Sequence, residues 1–119
     1  EISDIKIDFK KTNDLSVCID PYLADVLFTN LISNAIRHSL PGTEINIELV
    51  DGVLTICNRG NAPLKHPEKL FNRFYRESSA TKSTGLGLAI AKKICDLYGF
   101  DITYRFVNSE HVFSVHFSK

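Results

Sequence analysis

Asn30 and Asn34 stand four residues apart, and Arg37 and His38 follow Asn34 by three and four. At that spacing all four share one face of a helix. An amide oxygen is a neutral ligand for Mg²⁺, a hard ion that keeps waters beside phosphate oxygens, and Asn34 suits that role. Arg37 could offer a charge-assisted fork to phosphate, and His38 could donate to phosphate or ribose. The same residues also read as a solvated polar face with Asn30 as a structural hydrogen-bonding residue. Some fifty residues on, Gly85 and Gly87 flank Leu86 directly after Ser83-Thr84. Glycine lets a backbone approach a ligand closely, and the free N–H groups of a helix start bind phosphate. The GxxxxGK[ST] pattern is absent, so this turn is not a P-loop. Arg76 and Lys82 lie in the preceding loop, where they could reach a terminal phosphate or simply solvate the loop. Asn58 and Gly60 end a strand. An amide there could accept from an adenine amine and donate to a ring nitrogen, or the pair could form a plain turn. Taken together, these residues imply a pocket for a nucleotide and its phosphates.

The whole composition narrows the classes. The 119 residues fit one domain, 1–119, and a 44% hydrophobic content supplies one ordinary core. Fourteen basic and fourteen acidic side chains balance to a net charge of zero. With no basic excess to neutralise phosphates, no nucleic-acid partner is expected. Apolar runs fall far short of the roughly 20 residues of a membrane span, so no direct membrane contact is expected. No signal peptide is visible, and the chain opens directly on polar–apolar alternation, as an excised domain would. Cys18, Cys57 and Cys95 are far apart and sit in apolar stretches, which reads as buried thiols and not as a zinc site.

The elements that must position these residues follow from periodicity. Ile5, Ile7 and Phe9 alternate with polar residues as a strand, and Leu15, Val17 and Ile19 continue the pattern as a second. Asp20-Pro21 is a helix start, with Asp as N-cap and Pro at the first helical position, and the helix should run to about His38. Ile45, Ile47 and Leu49 form a strand that turns at Asp51-Gly52 into a returning strand, broken at Asn58–Asn61. Pro67 opens a short helical piece, and residues 76–84 read as a loop without large apolar side chains. A helix follows from about Gly85 to Tyr98, closed by Gly99. Strands at Ile102–Phe106 and from about Val112 to Phe117 end the chain. The order predicts an α+β two-layer sandwich, a mixed, mostly antiparallel sheet with the helices on one face.

On these segments the chain resembles the ATP-binding catalytic domain of sensor histidine kinases, in the superfamily that includes gyrase, Hsp90 and MutL. NLISNAIRHS at 30–39 resembles the family's N box, FNRFYRES at 71–78 its F box, and STGLGLAIAKKI at 83–94 its second glycine box. The match spans nearly the whole chain and implies the Bergerat-type ATP-binding fold with ATP and Mg²⁺ as cofactors. It implies that Asn34 binds Mg²⁺ and, with Arg37, serves the chemistry. Asn30 would sit near the phosphates, and Arg37 and His38 would approach phosphate or ribose. Phe71 and Phe74 would anchor a lid running from about Lys65 to Thr84. Gly85, Leu86 and Gly87 would hold the phosphates, with Leu64, Leu88, Arg76, Lys82 and Thr84 also at the nucleotide.

The chain departs from the family pattern at one place. The first glycine box usually reads DxGxG, its aspartate meeting the adenine amine. This chain has NRGNA at 58–62, with Asn58, Gly60 and Ala62 at the three positions. An Asn carbonyl still accepts from an amine, without charge assistance. No HExxxP-like segment occurs, so the acceptor histidine is expected on a dimerisation and histidine-phosphotransfer domain of the same protein. A response-regulator receiver domain would take the phosphoryl group next. Most of the family are membrane-anchored with this domain in the cytoplasm, which implies an inner-membrane sensor as parent. The alternatives are an anti-sigma-type serine kinase of the same fold, or a degenerate nucleotide sensor or adaptor.

Overall fold

The computed structural model describes residues 6–11, 17–75 and 86–117. Its strands are β1 (Lys6–Lys11), β2 (Glu44–Val50), β3 (Val53–Arg59), β4 (Asp101–Val107) and β5 (Glu110–His116). Its α-helices are α1 (Pro21–His38) and α2 (Gly87–Tyr98), with a 3-10 turn at Pro67–Lys69. The sheet order is β1-β2-β3-β5-β4, with β1 parallel to β2 and every other pair antiparallel. This is the α+β arrangement that the element order predicts.

α1 starts where the sequence places it. Asp20 Oδ1 accepts from the backbone of Tyr22 at 2.8 Å and Leu23 at 3.4 Å, while Pro21 fills the first helical position. The Asp20 N–H in turn donates to the Tyr98 hydroxyl at 3.0 Å, which ties the start of α1 to the end of α2. α2 stops at Gly99, which adopts the left-handed φ of 73° that a side chain resists. Asp51-Gly52 forms its hairpin with φ of 51° and 78°, both positive as a tight two-residue turn needs.

The register builds one apolar face. Phe9, Ile47, Ile56, Phe113 and Tyr104 follow one another across the sheet as successive partners, and so do Leu49, Leu54, Val115 and Ile102. Leu27, Leu31 and Ala35 of α1 and Ala91, Ile94 and Cys95 of α2 close over this face in one core. Each fully buried leucine there contributes roughly 2 kcal/mol of transfer free energy. Both helices therefore stand on one side of the sheet, and their facing ends border the site.

Three boundaries differ from the sequence reading. Val17–Asp20 form no strand, and Leu15 lies outside the described residues. Val17 and Ile19 alternate because they pack onto the core, not because they join a ladder. β3 does not break at Asn58: it runs to Arg59, with Asn58 opposite His111 and Arg59 opposite Glu110. β5 begins two residues earlier than expected because Asn108 and Ser109, at φ of 52° and 61°, make a second tight turn. α2 is described from Gly87 on, and Gly85 falls outside the described residues.

Candidate functional site

The structure brings the two opening segments into contact. Asn30 is fixed on α1 by a hydrogen bond from Nδ2 to the Val26 carbonyl at 2.9 Å. Its other amide atom faces the start of α2, since a Cβ on Gly87 would lie 3.1 Å from Asn30 Oδ1. Gly87 is thus a close-approach position where the two helices meet. Leu86 precedes it as N-cap with no side-chain cap, so the first N–H groups of α2 are left to other partners.

Asn34 lies one turn further along α1 and is 3% exposed, between Leu31 and Ala35 of the core. A buried amide within an apolar helix face is costly unless something satisfies it. Arg37 is exposed and His38 half-buried, both in the last turn of α1.

The strongest polar anomaly is Asn58, which is fully buried. Strand alternation puts it on the helix-covered face with Leu54 and Ile56. Its Nδ2 reaches the Arg59 carbonyl at 3.4 Å, and its Oδ1 has no hydrogen-bond partner among the described residues. Leaving a buried acceptor unmade costs about 1–3 kcal/mol, which makes this oxygen a candidate contact for a donor from outside the chain. The extra donor group of an amide therefore stays local, and the acceptor is the half that points to chemistry.

Gly60 is buried beside it, with its N–H donating to Ser109 at 3.0 Å. Its missing Cβ makes room for the protein itself: that atom would lie 2.2 Å from His111 Nε2. His111 is 5% exposed and bonded through Nδ1 to the Tyr104 hydroxyl at 2.8 Å. Tyr104 also accepts from the Leu64 N–H at 3.0 Å. No motif of the sequence singles out His111. Its place opposite Asn58 depends on β3 pairing with β5 across some fifty intervening residues, which no local pattern announces.

Between the two ends lies a second apolar cluster of Leu64, Leu70 and Phe113, with Phe71, Leu88 and Tyr104 packed on it. Phe71 meets Phe113 edge-on at 6.4 Å. The aromatic pair is split: Phe74 is 62% exposed at a φ of 64°, with the Arg73 guanidinium over its ring at 4.8 Å. Ala62 is exposed. Arg76, Lys82, Thr84 and Gly85 lie outside the described residues.

A separate apolar groove of about 470 Å³ runs between α1 and the β1 side of the sheet, lined by Phe9, Phe28, Ile32, Ile47 and neighbours. It contains none of the candidate site residues. Among the described residues no group of three or more His, Cys, Asp and Glu side chains could hold a metal ion. No described helix is long and apolar enough to cross a membrane.

Comparison with known proteins gives one family. Residues 19–118 match the family described as histidine kinase-, DNA gyrase B- and HSP90-like ATPase. The chain is 35% identical over 121 residues to the sensor histidine kinase HprS of Escherichia coli K12, covering 96% of this chain and 27% of that protein. It is 39% identical over 101 residues to the sensor protein VanSC of Enterococcus gallinarum, covering 78% of this chain and 28% of that one. The catalytic domain of histidine kinase ThkA superposes with a TM-score of 0.75 at 31% identity, over 93% of this chain and 78% of that domain. The mycobacterial sensor histidine kinase MprB shares the fold, with a TM-score of 0.81 at 23% identity, over 94% of this chain and 80% of that one. The chain thus spans little more than a quarter of the length of the two sensor proteins it matches.

Proposed function

Since the chain belongs to the family of histidine kinase-, DNA gyrase B- and HSP90-like ATPases, we propose that it is the ATP-binding catalytic domain of a two-component sensor histidine kinase. The buried, unpaired Asn58 Oδ1 carries the reading at the base end, because it supplies the acceptor that an adenine amine requires. At the phosphate end, Asn30 and the start of α2 approach each other, and the uncapped first N–H groups of α2 would donate to an anion.

These residues fit ATP with Mg²⁺. Asn34 would hold the ion as a neutral oxygen ligand, with the nucleotide's own phosphates and water completing the shell. Arg37 and His38, in the last turn of α1, would meet phosphate or ribose, joined by Arg76, Lys82 and Thr84 from the lid and by Gly85 from the glycine turn. Bound ATP supplies the γ-phosphoryl group. The side chains do not bond to it covalently: they position it and balance its charge. The acceptor would be a histidine on the dimerisation domain of the same protein, and a response-regulator receiver domain would follow. The parent would place this domain in the cytoplasm beneath an inner-membrane sensor.

Calorimetric titration with a non-hydrolysable ATP analogue tests the reading. Binding that weakens for Asn58→Ala with or without Mg²⁺, and for Asn34→Ala mainly when Mg²⁺ is present, is the expected result. Loss of the Asn58 acceptor should weaken binding roughly 5- to 100-fold, the range of one buried hydrogen bond. No binding by the unmutated chain would instead favour a degenerate, non-catalytic domain.

A further inference from the structure

The base end of the site is shaped by a residue outside the recognised motifs. His111 lies directly across the β3–β5 ladder from Asn58, on the same buried face, where partner side chains stand about 5 Å apart. Its imidazole fills the space above Gly60, where a Cβ would come within 2.2 Å of Nε2 and 2.6 Å of Cδ2. The ring is not a flexible end that could swing aside. Tyr104 holds Nδ1, and the rings of Tyr104 and Phe106 lie 5.9 and 5.1 Å from it, centre to centre. Tyr104 is itself anchored by the Leu64 backbone, at the root of the lid segment.

We propose that His111 is a specificity-determining residue of the nucleotide site. It walls the pocket beside Asn58, so that the site takes a purine whose exocyclic amine is unsubstituted and turns away one that carries a bulky group on that nitrogen. The proposal rests on the ATP reading above. An amine donating to Asn58 Oδ1 has the imidazole as its neighbour across the ladder, so a substituent on that nitrogen needs the volume that the ring occupies. Gly60 is then glycine because of His111, and the base gains no access to the Gly60 backbone on that side.

The test compares binding of a non-hydrolysable ATP analogue with binding of its N6-benzyl derivative. The proteins are the unmutated chain, His111→Ala, Gly60→Ala and the double variant, with thermal unfolding measured in parallel. The unmutated chain is expected to bind the benzyl derivative at least about tenfold more weakly, as overfilling a packed site does. His111→Ala should erase most of that difference. Gly60→Ala should lower the unfolding temperature in the unmutated background and much less beside His111→Ala. If His111→Ala does not fold, His111→Asn takes its place, because it keeps an acceptor for Tyr104 and removes Nε2, the ring atom closest to Gly60, together with Cε1. Equal discrimination with and without the imidazole, or an equal Gly60→Ala effect in both backgrounds, overturns the assignment to His111 alone. Failure of the unmutated chain to bind the unsubstituted analogue overturns the ATP reading and this proposal with it.

Discussion

Asn58 and Gly87 show how single atoms define the two ends of the site. Asn58 brings a buried acceptor that no group among the described residues satisfies, and Gly87 brings the absence of a side chain at a helix start. A methyl group on Gly87 would meet Asn30 Oδ1 at 3.1 Å, tighter than ordinary van der Waals contact. Asn30 cannot yield cheaply, because its Nδ2 is committed to Val26. Gly87→Ala should therefore weaken ATP-analogue binding about tenfold or more, a spread typical of overpacking. Alanine's better helix propensity should partly offset the loss in global stability. Titration and urea unfolding on the same preparation check it, and a variant that binds like the unmutated chain would show that the contact is slack. Asn30, Asn34 and Gly87 were legible in sequence because they lie within short motifs whose spacing suits one helix face or one turn. His111 was not, since its partner lies more than fifty positions away.

At the scale of the element, α1 carries most of the groups proposed to meet phosphate, and its start is secured far from them. Asp20 caps two backbone N–H groups at one end, while Asn34, Arg37 and His38 occupy the last turns at the other. Asp20→Ala should lower stability by about 1 kcal/mol. For a domain of this size that corresponds to roughly 4 °C in unfolding temperature. Nucleotide affinity should be unchanged, because the backbone bond from residue 20 to Tyr98 survives the substitution. Parallel calorimetry of unfolding and binding separates the two effects, and a matching loss of affinity would mean that the helix shifts as a rigid rod. The caps and hairpin at Asp20, Gly99 and Asp51-Gly52 follow from local chemistry. The expected strand over Leu15–Ile19 shows the limit of alternation: Val17 and Ile19 bury one side with no ladder to join.

For the whole molecule, Cys95 reports how the sheet and helices enclose the core, and half-buried Cys57 reports the other face of the sheet. Burial raises the Cys95 thiol to about 11, with Asp96 adding to the shift. Burial also raises Cys57 to about 11, helped by the Glu110 and Glu48 carboxylates. Both start from an ordinary value of 9.0, so the unfolded chain loses these protons first as pH rises. The folded state then binds more protons than the unfolded one, and stability falls as pH climbs from 9 towards 11. Below pH 9 the contribution is fully present. Urea unfolding across that window should show the fall, and Cys95→Ala combined with Cys57→Ala should flatten it. Cys18 is exposed, Cys57 half-buried and Cys95 buried, so a thiol reagent at pH 8 should modify Cys18 first, Cys57 more slowly, and Cys95 only on unfolding. Native-state labelling of Cys95 as fast as that of Cys18 would contradict the enclosure of the core.

Local chemistry decided the element types, the caps, the first hairpin and the family resemblance, because each depends on residues within a few positions of one another. The sequence alone therefore determined that α1 would present Asn30 and Asn34 together and that a glycine would stand at the start of α2. Only the tertiary structure decided what those groups meet. The order β1-β2-β3-β5-β4 sets β5 between β3 and β4, which buries Asn58 against His111 and fills the space over Gly60. The helix pairing brings Gly87 to Asn30. Strand partners and helix contacts are chosen by the burial of a shared apolar face, a long-range quantity that no short window of sequence contains.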